Sequence, residues 1–251
     1  MASRRQSDPH TPSDGEPTGP YRASDLRSGQ PYELSNGYKI RCMSQSGRSS
    51  QDEAGGVSTI LSDPAGRDTG VDTGYTMGNQ RRLRAPDIAV GDIPDEPGWV
   101  QDRVPQLAVE YADTGQNEDQ LQSKIREFLD AGTRYIWVVR LVGPRRVEVY
   151  EAGQKVRLMT DGDQLLAPGV LQNPVPVAAL FDKNVALETT FRNLLNRRGY
   201  KDLNAVKAEG KAEGKAEGKA QSLLRVLAAR GLVPSEAERQ QVLGCQEEAV
   251  L

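Results

Sequence analysis

Two carboxylates stand in otherwise apolar or small-residue surroundings. Asp87 lies in Ala85-Pro86-Asp87-Ile88-Ala89-Val90-Gly91 and Glu110 in Leu107-Ala108-Val109-Glu110-Tyr111-Ala112. Both segments (85–91 and 106–112) alternate with the period of two that marks a strand. On the first, Ile88 and Val90 point one way and Ala85, Asp87 and Ala89 the other; on the second, Leu107, Val109 and Tyr111 oppose Ala108, Glu110 and Ala112. Each strand thus has a bulky face and a face of alanines around one acid. An acid flanked by alanines has little steric cover, so the pattern predicts that a ligand reaches it. If the strands are neighbours, the two carboxylates converge, and close carboxylates repel unless a cation lies between them. Hard oxygen donors of this kind suit Mg²⁺ or Mn²⁺. The structural alternative for Glu110 is a salt bridge, to Arg84 or Arg134.

A lysine completes the set. Over 117–131, Leu121, Ile125, Phe128 and Leu129 recur at helical spacing, with Asn117 as N-cap and Gly132 just past the end. Lys124 is one turn from both Leu121 and Phe128, beside the apolar stripe. Its stem can lie along apolar surface while the ammonium reaches the sheet edge. There it could orient a metal-bound water or offset charge on a phosphate. The bland alternative is a solvated helix lysine.

The elements that must position these groups follow from the same patterns. Residues 31–43 predict a hairpin turning at Asn36-Gly37. Residues 44–70 are rich in Gly, Ser and Asp, and no element is assigned to them. Residues 134–142 read as a strongly apolar strand, and Gly143-Pro144 turns the chain into further strands over 145–151 and 154–159. Tyr135 and Trp137 read as packing residues. From about 183 the pattern is helical and includes three Lys-Ala-Glu-Gly repeats over 207–218. These put like charges four apart, and each glycine costs about 1 kcal/mol relative to alanine in a helix interior. The repeats read as a semi-rigid linker, or as a face of small residues allowing a partner helix to approach. Ser235 and Glu238 predict a capping box opening a last helix. The expected organisation is a disordered tail over 1–28, a core over 29–182 and a helical extension over 183–251.

Composition limits the chemistry. Of 251 residues, 37% are hydrophobic and the formal net charge is -3, so contact with a nucleic acid needs a local basic patch or a metal ion. The cysteines, Cys42 and Cys245, are too far apart to suggest a zinc site or a disulfide framework. The only histidine is His10, in the polar tail, which excludes zinc-peptidase helices and His-dependent nucleophilic catalysis. No apolar run approaches the ~18 residues of a membrane span, and the expected location is cytoplasmic.

Arg84-Ala85-Pro86-Asp87, Leu107-Ala108-Val109-Glu110, Lys124 within Gln122 to Gly132, and Tyr135-Ile136-Trp137-Val138-Val139 together resemble the Uma-type family of putative restriction endonucleases, part of the PD-(D/E)XK nuclease superfamily. Tyr32-Glu33-Leu34 with Gly37 resembles the family's N-terminal part, and the likeness covers roughly 30–182. It implies an α/β fold, a restriction-endonuclease-like mixed sheet, with the helices after it as an extension. It further implies metal-dependent cleavage of DNA phosphodiesters, with Asp87 and Glu110 as Mg²⁺ (or Mn²⁺) ligands, Lys124 as the catalytic lysine and Glu33 as an auxiliary acid. The superfamily's usual lysine lies two residues after the glutamate, where this chain has Ala112. The competing expectation is an inactive nuclease-like scaffold that acts as an interaction protein, or forms homo-oligomers, through its C-terminal helices.

Overall fold

Asn36 and Gly37 adopt φ of 50° and 86°, the left-handed pair of a two-residue hairpin turn. They close β1 (Tyr32–Ser35) against β2 (Tyr38–Arg41), as the Asn-Gly signal predicts. The structure, a computed structural model, describes residues 19–42, 45–114 and 117–245. The expected tail over 1–28 lies outside the described residues as far as residue 18. From there the expectation is corrected: Ala23 and Leu26 are buried against Leu34 and Leu83.

Residues 45–70 contain a helix that the sequence pattern did not reveal, α1 (Gly47–Leu61), capped by the Ser46 side chain on the Ser49 amide. Its buried residues include Ser49, Glu53, Gly56 and Ile60, at helical spacing but mostly small or polar. The strands β3 (Asp68–Val71), β4 (Tyr75–Met77), β5 (Arg82–Arg84) and β6 (Ile88–Gly91) follow. Asp87 therefore lies in the connector between β5 and β6, just outside the strand predicted over 85–91. Next come β7 (Leu107–Ala112), α2 (Glu118–Ala131), β8 (Tyr135–Arg140), β9 (Arg146–Tyr150) and β10 (Arg157–Thr160). The α2 caps are as predicted: the Asn117 side chain accepts from the Gln120 amide, and Gly132 ends the helix at φ 107°.

Two sheets carry the site. One has the order β2-β1-β5-β4 and the other β10-β9-β8-β7-β6-β3. The pair β7–β8 is parallel with α2 as its crossover, and the other strand pairs are antiparallel. Every residue of β7 is buried, as befits an interior strand. The two predicted faces separate two cores. Ile88, Val90, Leu107, Val109 and Tyr111 pack with Ile60 and Leu180 on one side. On the other, Ala89, Ala108 and Ala112 meet Leu121, Ile125 and Phe128 of α2. Trp137 is fully buried, as expected of a packing residue.

Thr190 closes one structural unit and Phe191 opens a second. Helix α3 (Lys183–Arg197) runs across that boundary. The second unit holds α4 (Leu203–Ala229), capped by Asp202, and α5 (Glu236–Leu243), opened by the Ser235/Glu238 capping box. At Gly210, Gly214 and Gly218 an added Cβ would meet nothing within 4 Å, so nothing in the described chain requires glycine there. Among the described residues no helix is long and apolar enough to cross a membrane.

Glycine is required in α1. A Cβ on Gly56 would stand 2.2 Å from the Tyr111 hydroxyl, 3.2 Å from Ile88 and 3.3 Å from Leu180. Gly56→Ala is expected to destabilise the protein by about 1–3 kcal/mol through overpacking. Gly47→Ala, which enters open space, should leave the urea midpoint unchanged or slightly raised. Equal midpoints for the two variants would contradict this packing account.

Candidate active site

Lys124 projects from α2 over the alanine face. Its Nζ lies 3.0 Å from Glu33 Oε1 and 2.8 Å from Glu110 Oε1, and it donates to the Ala85 carbonyl at 2.6 Å. It is thus no solvated helix lysine. One ammonium joins β1, the β5–β6 connector and β7. Glu110 is only 6% exposed, which corrects the expectation of an acid left open by its alanine neighbours. The alanines instead let α2 approach, and α2 brings the lysine. The salt-bridge alternative also named the wrong partners: Arg134 donates to the Pro168 carbonyl at 2.9 Å, and Arg84 serves other acids.

Asp87 sits against the residue after Glu110. Its Oδ2 accepts the Tyr111 backbone N–H, and its Oδ1 accepts from the Gln45 side chain at 3.2 Å. Glu33 is held from three sides. Besides Lys124, Arg84 Nη1 lies 3.0 Å from Oε2, and the Ala85 N–H donates to Oε1 at 3.1 Å. Arg84, with a side chain 1% exposed, also donates from Nε to Glu127 at 2.6 Å, and Glu127 accepts from Ser35 at 2.6 Å. The four residues nominated from sequence are therefore brought together.

Glu127, Gln45 and Glu53 were not assigned roles at the site from sequence, and Arg84 was named only as an alternative partner of Glu110. Glu53, on the buried face of α1, is hydrogen-bonded by Gln45 and feels the charge of Asp87. Its signal was the Ser49, Glu53, Gly56, Ile60 spacing, which becomes visible once small residues are admitted as core-facing.

Burial is the largest influence on the titration of these carboxyls, and the neighbouring charges decide how far it prevails. Burial works against ionised Glu33, but the fields of Lys124 and Arg84 outweigh it and hold its pKa below the ordinary range. Burial also raises Asp87, against the pull of Lys124 and the Tyr111 N–H. For Glu110, burial together with the fields of Asp87 and Glu33 exceeds the pull of Lys124, and its carboxyl is pushed up to about 8. Burial likewise pushes Glu53 up to about 7. Lys124 is desolvated, yet the surrounding carboxylates raise its pKa and keep it charged.

Two of these groups could hold a cation, Asp87 and Glu110. Glu110 Oε1 is buried and accepts no hydrogen bond among the described residues, with the Lys124 ammonium 2.8 Å away. Among the described residues no cluster of three or more His, Cys, Asp or Glu surrounds a common point. Mg²⁺ needs no such cluster, because it is commonly held by one or two carboxylates, with water and substrate phosphate completing its shell.

The profile of the Uma2 family, described as "putative restriction endonuclease", matches residues 20–178. The chain belongs to this family. Among solved structures, a protein from Anabaena variabilis described as a putative nuclease of DUF820 matches with a TM-score of 0.56 and 20% identity. The match covers 66% of this chain and 98% of that one, and it shows the shared fold, as the sequence resemblance implied. No curated protein matches the chain.

Two outcomes follow from the buried charges. The folded-state pKa of Glu110, about 8, exceeds its ordinary 4.5, so its contribution to stability is complete below 4.5 and is lost as pH rises through 8. The lowered pKa of Glu33 acts oppositely, its contribution being lost as pH falls below the ordinary value. Glu110→Gln should therefore gain stability relative to wild type as pH rises across the Glu110 window, read by urea denaturation at both ends. A difference independent of pH would sink this assignment. Arg84→Met strands Glu33 and Glu127 and is expected to cost about 3–5 kcal/mol. Adding Glu127→Gln should recover part of the loss; full additivity of the two changes would count against the pairing.

Proposed function

We propose that the protein is a divalent-metal-dependent endonuclease that hydrolyses DNA phosphodiester bonds at the Asp87, Glu110 and Lys124 cluster. The observation carrying this reading is the ammonium of Lys124, held within 3.0 Å of both Glu33 and Glu110 beside the Asp87 carboxylate. Membership of a family described as "putative restriction endonuclease" supports it and points to DNA as substrate.

In this reading Asp87 and Glu110 hold Mg²⁺ or Mn²⁺. Such an ion supplies Lewis-acid stabilisation of the phosphate and lowers the pKa of bound water. The protein's own groups do the positioning. The Tyr111 N–H and the Gln45 amide fix the Asp87 carboxylate, and Glu33 fixes the lysine. The Lys124 ammonium offsets negative charge that develops on the phosphate in the transition state. Glu33 itself stays ionised between Lys124 and Arg84, so its part is to orient the ammonium.

A second reading, a nuclease-like scaffold without catalysis, rests on the occupancy of Lys124. Its ammonium already donates to the Ala85 carbonyl and to Glu110 Oε2, and it lies 3.0 Å from Glu33 Oε1. A reacting phosphate must displace one of them. The C-terminal helices, where Val226, Leu232 and Val233 are 48%, 57% and 90% exposed, would then carry an interaction or self-association role.

Nicking of supercoiled plasmid in Mg²⁺ or Mn²⁺ separates the two. The nuclease reading expects wild-type nicking, suppressed by EDTA, with Asp87→Ala and Lys124→Ala each slower by about 10²-fold or more. Equal nicking by all three proteins would expose a contaminant and remove the reading. No nicking by folded wild type in either metal would favour the scaffold.

A further inference from the structure

With a formal charge of -3 and a site rich in carboxylates, a polyanionic substrate must be gripped by cations elsewhere on the surface. The β2-β1-β5-β4 sheet and the segment before it supply them. Over 19–42 and 75–84, Arg84 and Glu33 neutralise each other. Beside Arg41, what remains is Arg22, Arg27, Lys39, Arg81 and Arg82, with Asp25 the one other acid of these two stretches. The Asp25 carboxylate is engaged by the Arg22 backbone N–H at 2.7 Å. Among the described residues, no carboxylate lies within ion-pair range of Lys39, Arg81 or Arg82. Elsewhere in the chain several surface cations are paired, as Arg140 is with Glu118 and Glu148, and Arg157 with Glu151.

The geometry of this surface is ordered. Strand β2 is the edge of its sheet. Lys39 Nζ lies 4.3 Å from the Tyr21 ring centroid and 5.4 Å from that of Tyr32, so its ammonium is fixed over two aromatic faces. At one end of the strand, Tyr38 is 61% exposed. The Gly37 N–H donates to the Arg81 carbonyl at 2.7 Å, and Arg82 Nε donates to Asn36 at 3.4 Å, which brings both arginines to the same turn. Along β2 the faces alternate: Tyr38 and Ile40 pair with Ser35 and Glu33 and share the cluster's face, whereas Lys39 pairs with Leu34 on the opposite face. The strand next to this edge carries Glu33, and beyond it Gln45 donates to Asp87.

We propose that this sheet edge, built on β2 and the turn between β4 and β5, docks the phosphate backbone of duplex DNA edge-on, next to the strand that carries Glu33. The choice of DNA rests on the nuclease reading above, but the docking is measurable without cleavage. The lysine and arginines supply sequence-independent affinity, and specificity has to come from other contacts.

The test is fluorescence anisotropy with a labelled duplex in EDTA, from about 50 to about 200 mM salt. Lys39→Ala/Arg81→Ala/Arg82→Ala should weaken binding at least tenfold at low salt. It should also flatten the plot of log affinity against log salt by about 2–3, close to 0.9 for each lost phosphate contact. A control triple on exposed lysines elsewhere, Lys155→Ala/Lys183→Ala/Lys201→Ala, removes the same net charge and should bind within about twofold of wild type. The charge-keeping triple Lys39→Arg/Arg81→Lys/Arg82→Lys should retain the wild-type slope, which guards against loss through misfolding. The proposal is overturned if the control triple loses as much as the test triple, if the test triple binds like wild type, or if wild type prefers the single strand. A protein that docks duplex but nicks nothing keeps this surface and loses the nuclease reading. One whose nicking is untouched by the test triple keeps the nuclease reading and loses this surface.

Discussion

One ammonium ties three separate stretches of chain together. Lys124 reaches Glu33 on β1, the Ala85 carbonyl before β6, and Glu110 in the middle of β7. Those partners are spread over the sequence and belong to two different sheets, so their meeting point fixes how the sheets sit against α2. Burying a charge is costly unless it is paired and hydrogen-bonded. Here both conditions hold for the lysine and for Glu33, while the acids as a group exceed the cations. Arg84 offsets part of the excess by spanning Glu33 and Glu127. Burial first, and nearby negative charge after it, raises the carboxyls of Glu110 and Asp87, and a cation between them would offset both.

The packing that permits this arrangement depends on small residues. Ala89, Ala108 and Ala112 form a shallow floor, and Leu121, Ile125 and Phe128 rest on it. Larger side chains there would lift α2 away from the sheet, and Lys124 would no longer reach Glu110. On the opposite side Gly55 and Gly56 play the matching part. A Cβ on Gly55 would meet Ala186 at 3.2 Å, and one on Gly56 would run into Tyr111. Helix α1 therefore lies close to β7 and carries Glu53 up to Gln45 and Asp87. Small residues on both faces of one strand bring two helices, and the charges they bear, to the same place.

Where local chemistry decides, the sequence is readable. Asn36-Gly37 specifies its turn, Asn117 and Gly132 bound their helix, and the alternation through Leu107–Ala112 assigns each residue of β7 to its correct side. Helix α1 was not readable because, apart from Ile60, its buried face is made of Ser, Glu, Gly and Thr, residues whose core role comes from close approach rather than hydrophobicity. The pattern also overextended β6, because Pro86 removes a donor and Asp87 falls in the connector. The partners of Arg84 and Glu127 were beyond reach for a different reason. Arg84 and Glu33 are 51 residues apart and Ser35 and Glu127 are 92 apart, so only the tertiary fold pairs them. The likeness to a nuclease family supplied Glu33, which local patterning could not.

Taking the lysine from α2 instead of from β7 changes what controls the site. Ala112 lies on the same face as Glu110 and is itself packed beneath α2. A long side chain there would compete for the space that the helix occupies. With the lysine on the helix, its position depends on the helix register, which the Asn117 cap and the left-handed Gly132 set at the two ends. The βαβ unit β7–α2–β8 thus works as one device: the strand presents the acid, the crossover helix presents the ammonium, and parallel pairing with β8 holds the two in register. Moving the lysine off the strand is compatible with the same charge arrangement provided that the strand face stays small, and that condition is met by the three alanines.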